Sequence, residues 1–221
     1  MSFLRHWLIA FGLGLASLTA IASPAAPQNG VEYLTLEAPQ PTDTGKKVEV
    51  IEFFGYFCSH CYSWDPQLKQ WAKRQGNNIV FKRVMVRFND SMLPQQKMFY
   101  ALSAMGKLEE LHPRIFQAVQ VDRQPLRKDE QVFDFVAKNG VDRSQFIEMY
   151  NSFSVESLTR SATQMQALYK VDGVPMIAID GRFITSPAIV SNGIKQNMSE
   201  AELQAATLKV MDALVAKARK R

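Results

Sequence analysis

The amino-acid sequence predicts an α/β fold interrupted by an all-helical insertion, and three observations carry that prediction. Two nearly continuous apolar runs, Val48–Phe54 and Ile79–Phe88, flank a segment of helical period, the β-α-β order of a parallel sheet with a right-handed crossover. From Ser91 to Phe153 the apolar spacing is helical throughout. Beyond Gly173-Val174-Pro175 strand character returns, followed by one last helix.

The first residues read as an address. Arg5 and His6 precede the uncharged apolar run Trp7 to Ala20, and Ala20-Ile21-Ala22 has the small residues of an A-x-A cleavage site. That is the pattern of a secretory signal peptide, cleaved after Ala22. The run falls short of the roughly 20 apolar residues a spanning helix needs, and Pro24 and Pro27 stop any helix beyond it. Export is the expectation.

After a polar stretch, Val31–Leu36 predicts a short first strand and Pro39–Lys47 a loop. The strand Val48–Phe54 ends at Gly55, and a helix carrying Tyr62, Trp64, Leu68 and Trp71 follows, with Pro66 placed to kink it. Helices are predicted over Leu93–Met105, Leu108–Val121, Asp129–Asn139 and Ser144–Phe153, punctuated by Gly106, Pro125 and Gly140. A longer one runs from Val155 to Tyr169. Met176–Ile179 and Arg182–Thr185, joined by Asp180-Gly181, read as a β-hairpin. Ser199 with Glu202 forms a capping box that opens the final helix.

A net charge of +5 with both signs interspersed gives little support for a nucleic-acid face; the basic residues from Ala216 to Arg221 suit a solvated helix end. The two cysteines are more informative. An exported chain with only Cys58 and Cys61 has no disulfide framework, and a bridge across so small a loop constrains little of the unfolded chain. The pair therefore calls for a chemical explanation. A Cys-x-x-Cys at the end of a strand, opening a helix within a βαβ unit, points to a thioredoxin-like redox motif. The domains expected are a signal peptide at 1–22, a thioredoxin-like domain in two parts at 23–91 and 154–221, and an inserted helical domain at 92–153.

Cys58 sits where unpaired N–H groups and the helix dipole favour a thiolate, and His60 adds a group able to carry positive charge. Stabilising the thiolate stabilises the reduced form only, so the pair becomes a stronger oxidant as that pKa falls. Cys61, one turn in, is expected to be the buried resolving residue and Cys58 the exposed one. Zinc is disfavoured because His60 lies between the two thiols and only His112 remains as a further ligand in the mature chain. Haem attachment would need His where Tyr62 stands. No metal or cofactor is expected. His112, just before Pro113, is expected in a surface or capping role. Glu52, an acid within an apolar strand, reads as a buried proton acceptor for Cys61, whereas Glu49 reads as a solvated strand end.

The run Glu52-Phe53-Phe54-Gly55-Tyr56-Phe57-Cys58-Ser59-His60-Cys61-Tyr62, the helical insertion and Gly173-Val174-Pro175 together resemble DsbA-type thiol:disulfide interchange proteins across essentially the whole mature chain. The resemblance implies a periplasmic oxidase of cysteines in newly exported, unfolded proteins, reoxidised by a DsbB-type quinone reductase of the inner membrane and working as a monomer. It also implies a cis peptide bond at Val174-Pro175, whose backbone pairs with the substrate chain. A basic partner for Glu52 would fall at Arg83 or Lys82, with Arg83 preferred. Ser59 departs from the Pro of the best-known motif and leaves the redox potential open. Two readings compete: an isomerase or reductase on the same fold, and a holdase using Met98, Phe99, Met105, Phe116, Phe133, Phe135, Phe146 and Met149, some lining an exposed groove.

Overall fold

The computed structural model describes residues 26–194 and 196–220; the expected signal peptide and its cleavage site lie outside the described residues. A five-stranded sheet forms from β1 (Leu34–Thr35), β2 (Val48–Phe54), β3 (Ile79–Met85), β4 (Met176–Ile179) and β5 (Phe183–Thr185), in the order β1-β5-β4-β2-β3. β2 pairs parallel with β3 and antiparallel with β4, and it is buried along its whole length. The crossover from β2 to β3 is α1 (Ser59–Gln75), which continues through Pro66. α2 (Leu93–Ala104), α3 (Leu108–Gln120), α4 (Asp129–Lys138) and α5 (Arg143–Tyr150) make up the helical stretch, and α6 (Phe153–Leu168) leads back to the sheet. After the hairpin come α7 (Pro187–Ser191) and α8 (Glu200–Ala218).

Alternation along β2 sends its side chains to two cores. Val48 and Val50 join Trp64, Leu68 and Trp71 of α1 and Met211 and Leu214 of α8. Ile51 and Phe53 join the second core, which runs through Met98, Ile115, Phe116, Val136 and Phe146 of the helical stretch.

Several expected boundaries shift for local reasons. β1 shrinks because Gly30, Val31 and Glu32 are held in a turn, with Val31 and Glu32 donating to the Gln28 carbonyl and Gly30 to that of Tyr33. β3 stops at Met85 because its partner strand β2 ends opposite it at Phe54, and the Met85 carbonyl is taken by Gln96 of α2 at 2.7 Å. Asp142 caps α5 and Ser152 caps α6, so Phe153 belongs to the later helix. Ser186 caps α7, a short helix the hydrophobic period did not reveal. The hairpin turns at Asp180-Gly181 as expected, both at positive φ (59° and 62°), with the Arg182 N–H donating to the Ile179 carbonyl, but the strands pair Ile179 with Phe183, so β5 begins one residue later than expected. Of the eight apolar residues of the helical stretch, expected to be mostly core with a few lining a groove, all lie in or against the core: Met98, Phe99, Phe116, Phe133, Phe135 and Phe146 are buried, and Met105 and Met149 pack against them.

Candidate active site

The central strand ends at Phe54, and the chain turns through Gly55 before α1 begins. The Phe57 ring folds back over Gly55, where a Cβ would lie 2.2 Å from its Cε1, so any larger residue here would have to displace the ring. Cys58 then serves as N-cap of α1, its sulfur accepting from the Cys61 N–H at 3.2 Å. Ser59 is exposed at the first helical position.

The two thiols are unequal, though Cys58 is less open than expected. It is only 8% exposed, because the Val174-Pro175 loop closes over it; Cys61 is fully buried. The Val174-Pro175 peptide bond is cis, and the Val174 carbonyl accepts from the Cys58 thiol at 3.4 Å. The hydrogen bond from Cys61 lowers the Cys58 thiol to about 7; the N–H groups of Cys61 and His60 and the His60 charge add to this against the opposing effect of burial. Burial drives the Cys61 thiol far upward, and Cys58 and Glu52 push it the same way.

Beneath α1 lies a chain of polar groups that the sequence revealed only in part. Arg83 donates through Nε to Glu52 Oε2 and through Nη2 to Asp65 Oδ1, both at 2.9 Å. Lys82, on the other face of β3, pairs instead with Glu49 at 2.7 Å. Glu49 is thus buried and partnered, not a solvated strand end, because Lys82 reaches over it from the neighbouring strand. Glu52 is raised to about 7 by burial, with Arg83 pulling it down and Asp65 pushing it up.

His112 is buried as well, contrary to the surface role expected from its place before Pro113. Its Nδ1 lies 2.8 Å from the Tyr56 hydroxyl and its Nε2 lies 3.2 Å from Asp65 Oδ1. Burial holds its pKa below the ordinary value, so the ring is neutral, accepting from Tyr56 and donating to Asp65. Asp65 stays ionised: burial works against it, but the His112 hydrogen bond and the Arg83 charge outweigh that. Gln120 donates to the Tyr56 carbonyl at 2.6 Å, and the Phe116 ring packs on Tyr56 and Tyr62. The helical stretch thereby holds the turn that carries Cys58. Asp65 was detectable as an acid four residues beyond Cys61 on the same helical face, but no short-range signal pointed to His112.

His60 is half out in solvent, and its Nδ1 contacts Glu200 Oε1 of α8 at 2.9 Å. Glu200 also escaped the sequence reading, which saw only the capping pair around it. Beside these residues opens a cleft of about 800 Å³, lined by Leu36, Val174, Pro175, Ile184, Ile189 and Leu203 among others, with His60 and Glu200 also contributing. Among the described residues no cluster of three His, Cys, Asp or Glu side chains is arranged to hold a metal, and no helix is long and apolar enough to cross a membrane.

A dithiol at the start of a helix that leaves the central strand, with one thiol lowered and its partner buried, defines a thiol:disulfide oxidoreductase on a thioredoxin-like scaffold. A profile of the DSBA-like thioredoxin domain matches residues 49–204, and the chain belongs to that family. It is 44% identical over 181 residues to the thiol:disulfide interchange protein DsbA of Burkholderia cepacia, covering 81% of this chain and 85% of that one. It is 36% identical over 213 residues to the Bordetella pertussis protein of the same name, covering 96% of each. Among solved structures, Pseudomonas aeruginosa DsbA superposes with a TM-score of 0.77 at 30% identity, covering 86% of this chain and 94% of that one. The Xylella fastidiosa oxidoreductase DsbA gives 0.76 at 25% identity, covering 88% and 99%.

Proposed function

We propose that the protein works in the periplasm, as a monomer, and donates the Cys58–Cys61 disulfide to cysteines of newly exported, unfolded proteins. A substrate thiolate attacks Cys58 Sγ, the S–S bond breaks, and Cys61 leaves with the electron pair and is protonated. The second substrate thiolate then attacks the substrate sulfur of the mixed disulfide and releases Cys58 as a thiolate. The substrate loses two electrons and the enzyme gains them. A DsbB-type quinone reductase in the inner membrane takes them back: Cys58 attacks its disulfide, and Cys61, giving its proton to Glu52, resolves the intermediate. The Val174-Pro175 loop and the adjoining apolar cleft suit an extended substrate chain, which can pair with the loop backbone and bury apolar side chains.

The observation that carries Cys58 as the attacking thiol and Cys61 as the resolving one is the split between the two thiols. Lowering Cys58 to about 7 stabilises only the reduced form, but thioredoxin's thiol lies at about the same value, so the direction is supported by the likeness to DsbA thiol:disulfide interchange proteins. The test is the equilibrium with glutathione. A potential more oxidising than about −200 mV is expected, and one near the roughly −270 mV of thioredoxin would overturn the reading.

A further inference from the structure

Glu200 opens α8, and three donors converge on its Oε1. The His60 Nδ1 lies at 2.9 Å, the Ser63 hydroxyl at 2.5 Å and the Gln204 amide at 2.9 Å. Gln204 also donates to Ser63 Oγ at 2.8 Å, so the carboxylate is braced from both helices. Residues some 140 positions apart in the chain thus meet at the rim of the redox centre. A carboxylate in the first turn of a helix sits in the positive end of the dipole and stays ionised. The Ser63 hydrogen bond and the His60 contact hold Glu200 below the usual carboxylate range.

We propose that Glu200 is a positioning residue for the redox centre: it grips Nδ1 of His60 and keeps the imidazole charged beside the Cys58 thiolate. The inference rests on the reading of Cys58 as the attacking thiolate. The charged and titratable groups facing the imidazole are Glu200 from α8 and Cys58 from its own turn, and both favour the protonated ring. Glu200 contacts His60, Ser63 and Gln204 directly and makes no hydrogen bond to Cys58 among the described residues. Its net effect on Cys58 therefore passes through the histidine. Without the carboxylate, the imidazole loses its proton closer to the ordinary midpoint of about 6.5, and the thiolate loses a neighbouring positive charge at neutral pH. In a largely solvated pair the effect is modest.

The test is a cycle of Glu200→Gln and His60→Ala, alone and together, in the full-length protein. The His60 ring is titrated by NMR and the Cys58 thiolate by its ultraviolet absorbance. In E200Q the imidazolium should be about two- to five-fold easier to deprotonate, and the Cys58 midpoint should rise. In the H60A background E200Q should leave the Cys58 midpoint where H60A alone put it. A general loosening of α8 would act in both backgrounds, so the cycle separates it from the proposed coupling. An unmoved His60 midpoint in E200Q, or an equal Cys58 shift with and without His60, overturns the proposal. Failure of the oxidase reading is distinguishable, because it appears in the glutathione equilibrium and leaves the His60 titration as described.

Discussion

Glu52 and Cys61 pose one problem in two forms: each must gain or lose a proton out of reach of water. Glu52 is 2% exposed and Cys61 is fully buried, so a proton leaving Cys61 needs a nearby acceptor. With Glu52 at about 7, that acceptor is empty above neutrality and filled below it. Cys61 should therefore attack a mixed disulfide on Cys58 faster as pH rises through 7. A small thiol attached to Cys58 makes the test clean, because the capped cysteine cannot titrate. In Glu52→Gln the rise through pH 7 should vanish and release of the small thiol at pH 8 should slow roughly 10²-fold; an unchanged profile would sink the role of Glu52. Glu52 was legible in the sequence because a charge interrupts an apolar strand. His112 was not, since its burial depends on Phe54 and Tyr56 arriving from another part of the chain. The same holds for Glu200, whose partner lies on α1.

At the scale of elements, helix ends decide most of what the hydrophobic period leaves vague. Asp142 and Ser152 set the break between α5 and α6, and Gln96 takes the last carbonyl of β3 from outside the strand. Such terminal contacts are side-chain events, and a periodicity of apolar residues cannot register them. The Ser199–Glu202 box is the exception that was plain in the sequence, because both partners lie within four residues. Ser199→Ala removes the acceptor for the Glu202 N–H and should cost about 1 kcal/mol. Denaturant unfolding measures this, and a loss below a few tenths of a kcal/mol would mean that α8 is held by packing alone. The parallel pairing of β2 and β3 was equally legible, since a crossover helix between two apolar runs allows little else. Which neighbour β2 takes on its other edge was not, because β4 lies more than 120 residues downstream.

For the molecule as a whole, the thiolate couples redox state to stability. Cys58 falls from 9.0 to about 7 in the folded reduced protein. A lowered acid stabilises the fold above the unfolded pKa, and that gain disappears as pH drops through the folded value. The reduced form should therefore gain about 2 kcal/mol over the oxidised form between pH 6 and pH 8.5. Glu52 titrates in both forms and cancels from the comparison to first order. Unfolding the two forms in parallel at several pH values measures the difference; a flat result would mean that the thiolate is not stabilised by the fold.

The placement of β4 between β5 and β2 has a consequence for the order in which the protein is made. Synthesis delivers Cys58 and Cys61 long before Pro175 and Glu200, so an emerging chain carries its dithiol without the loop that covers Cys58 or the carboxylate that holds His60. The sheet closes only when β4 inserts against β2, a pairing of large sequence separation and correspondingly slow formation. Until then the pair is an ordinary vicinal dithiol on an unfinished domain, open to the same oxidation it performs on others. Activity is thus a property of the completed chain, acquired when the segment from β4 onward docks.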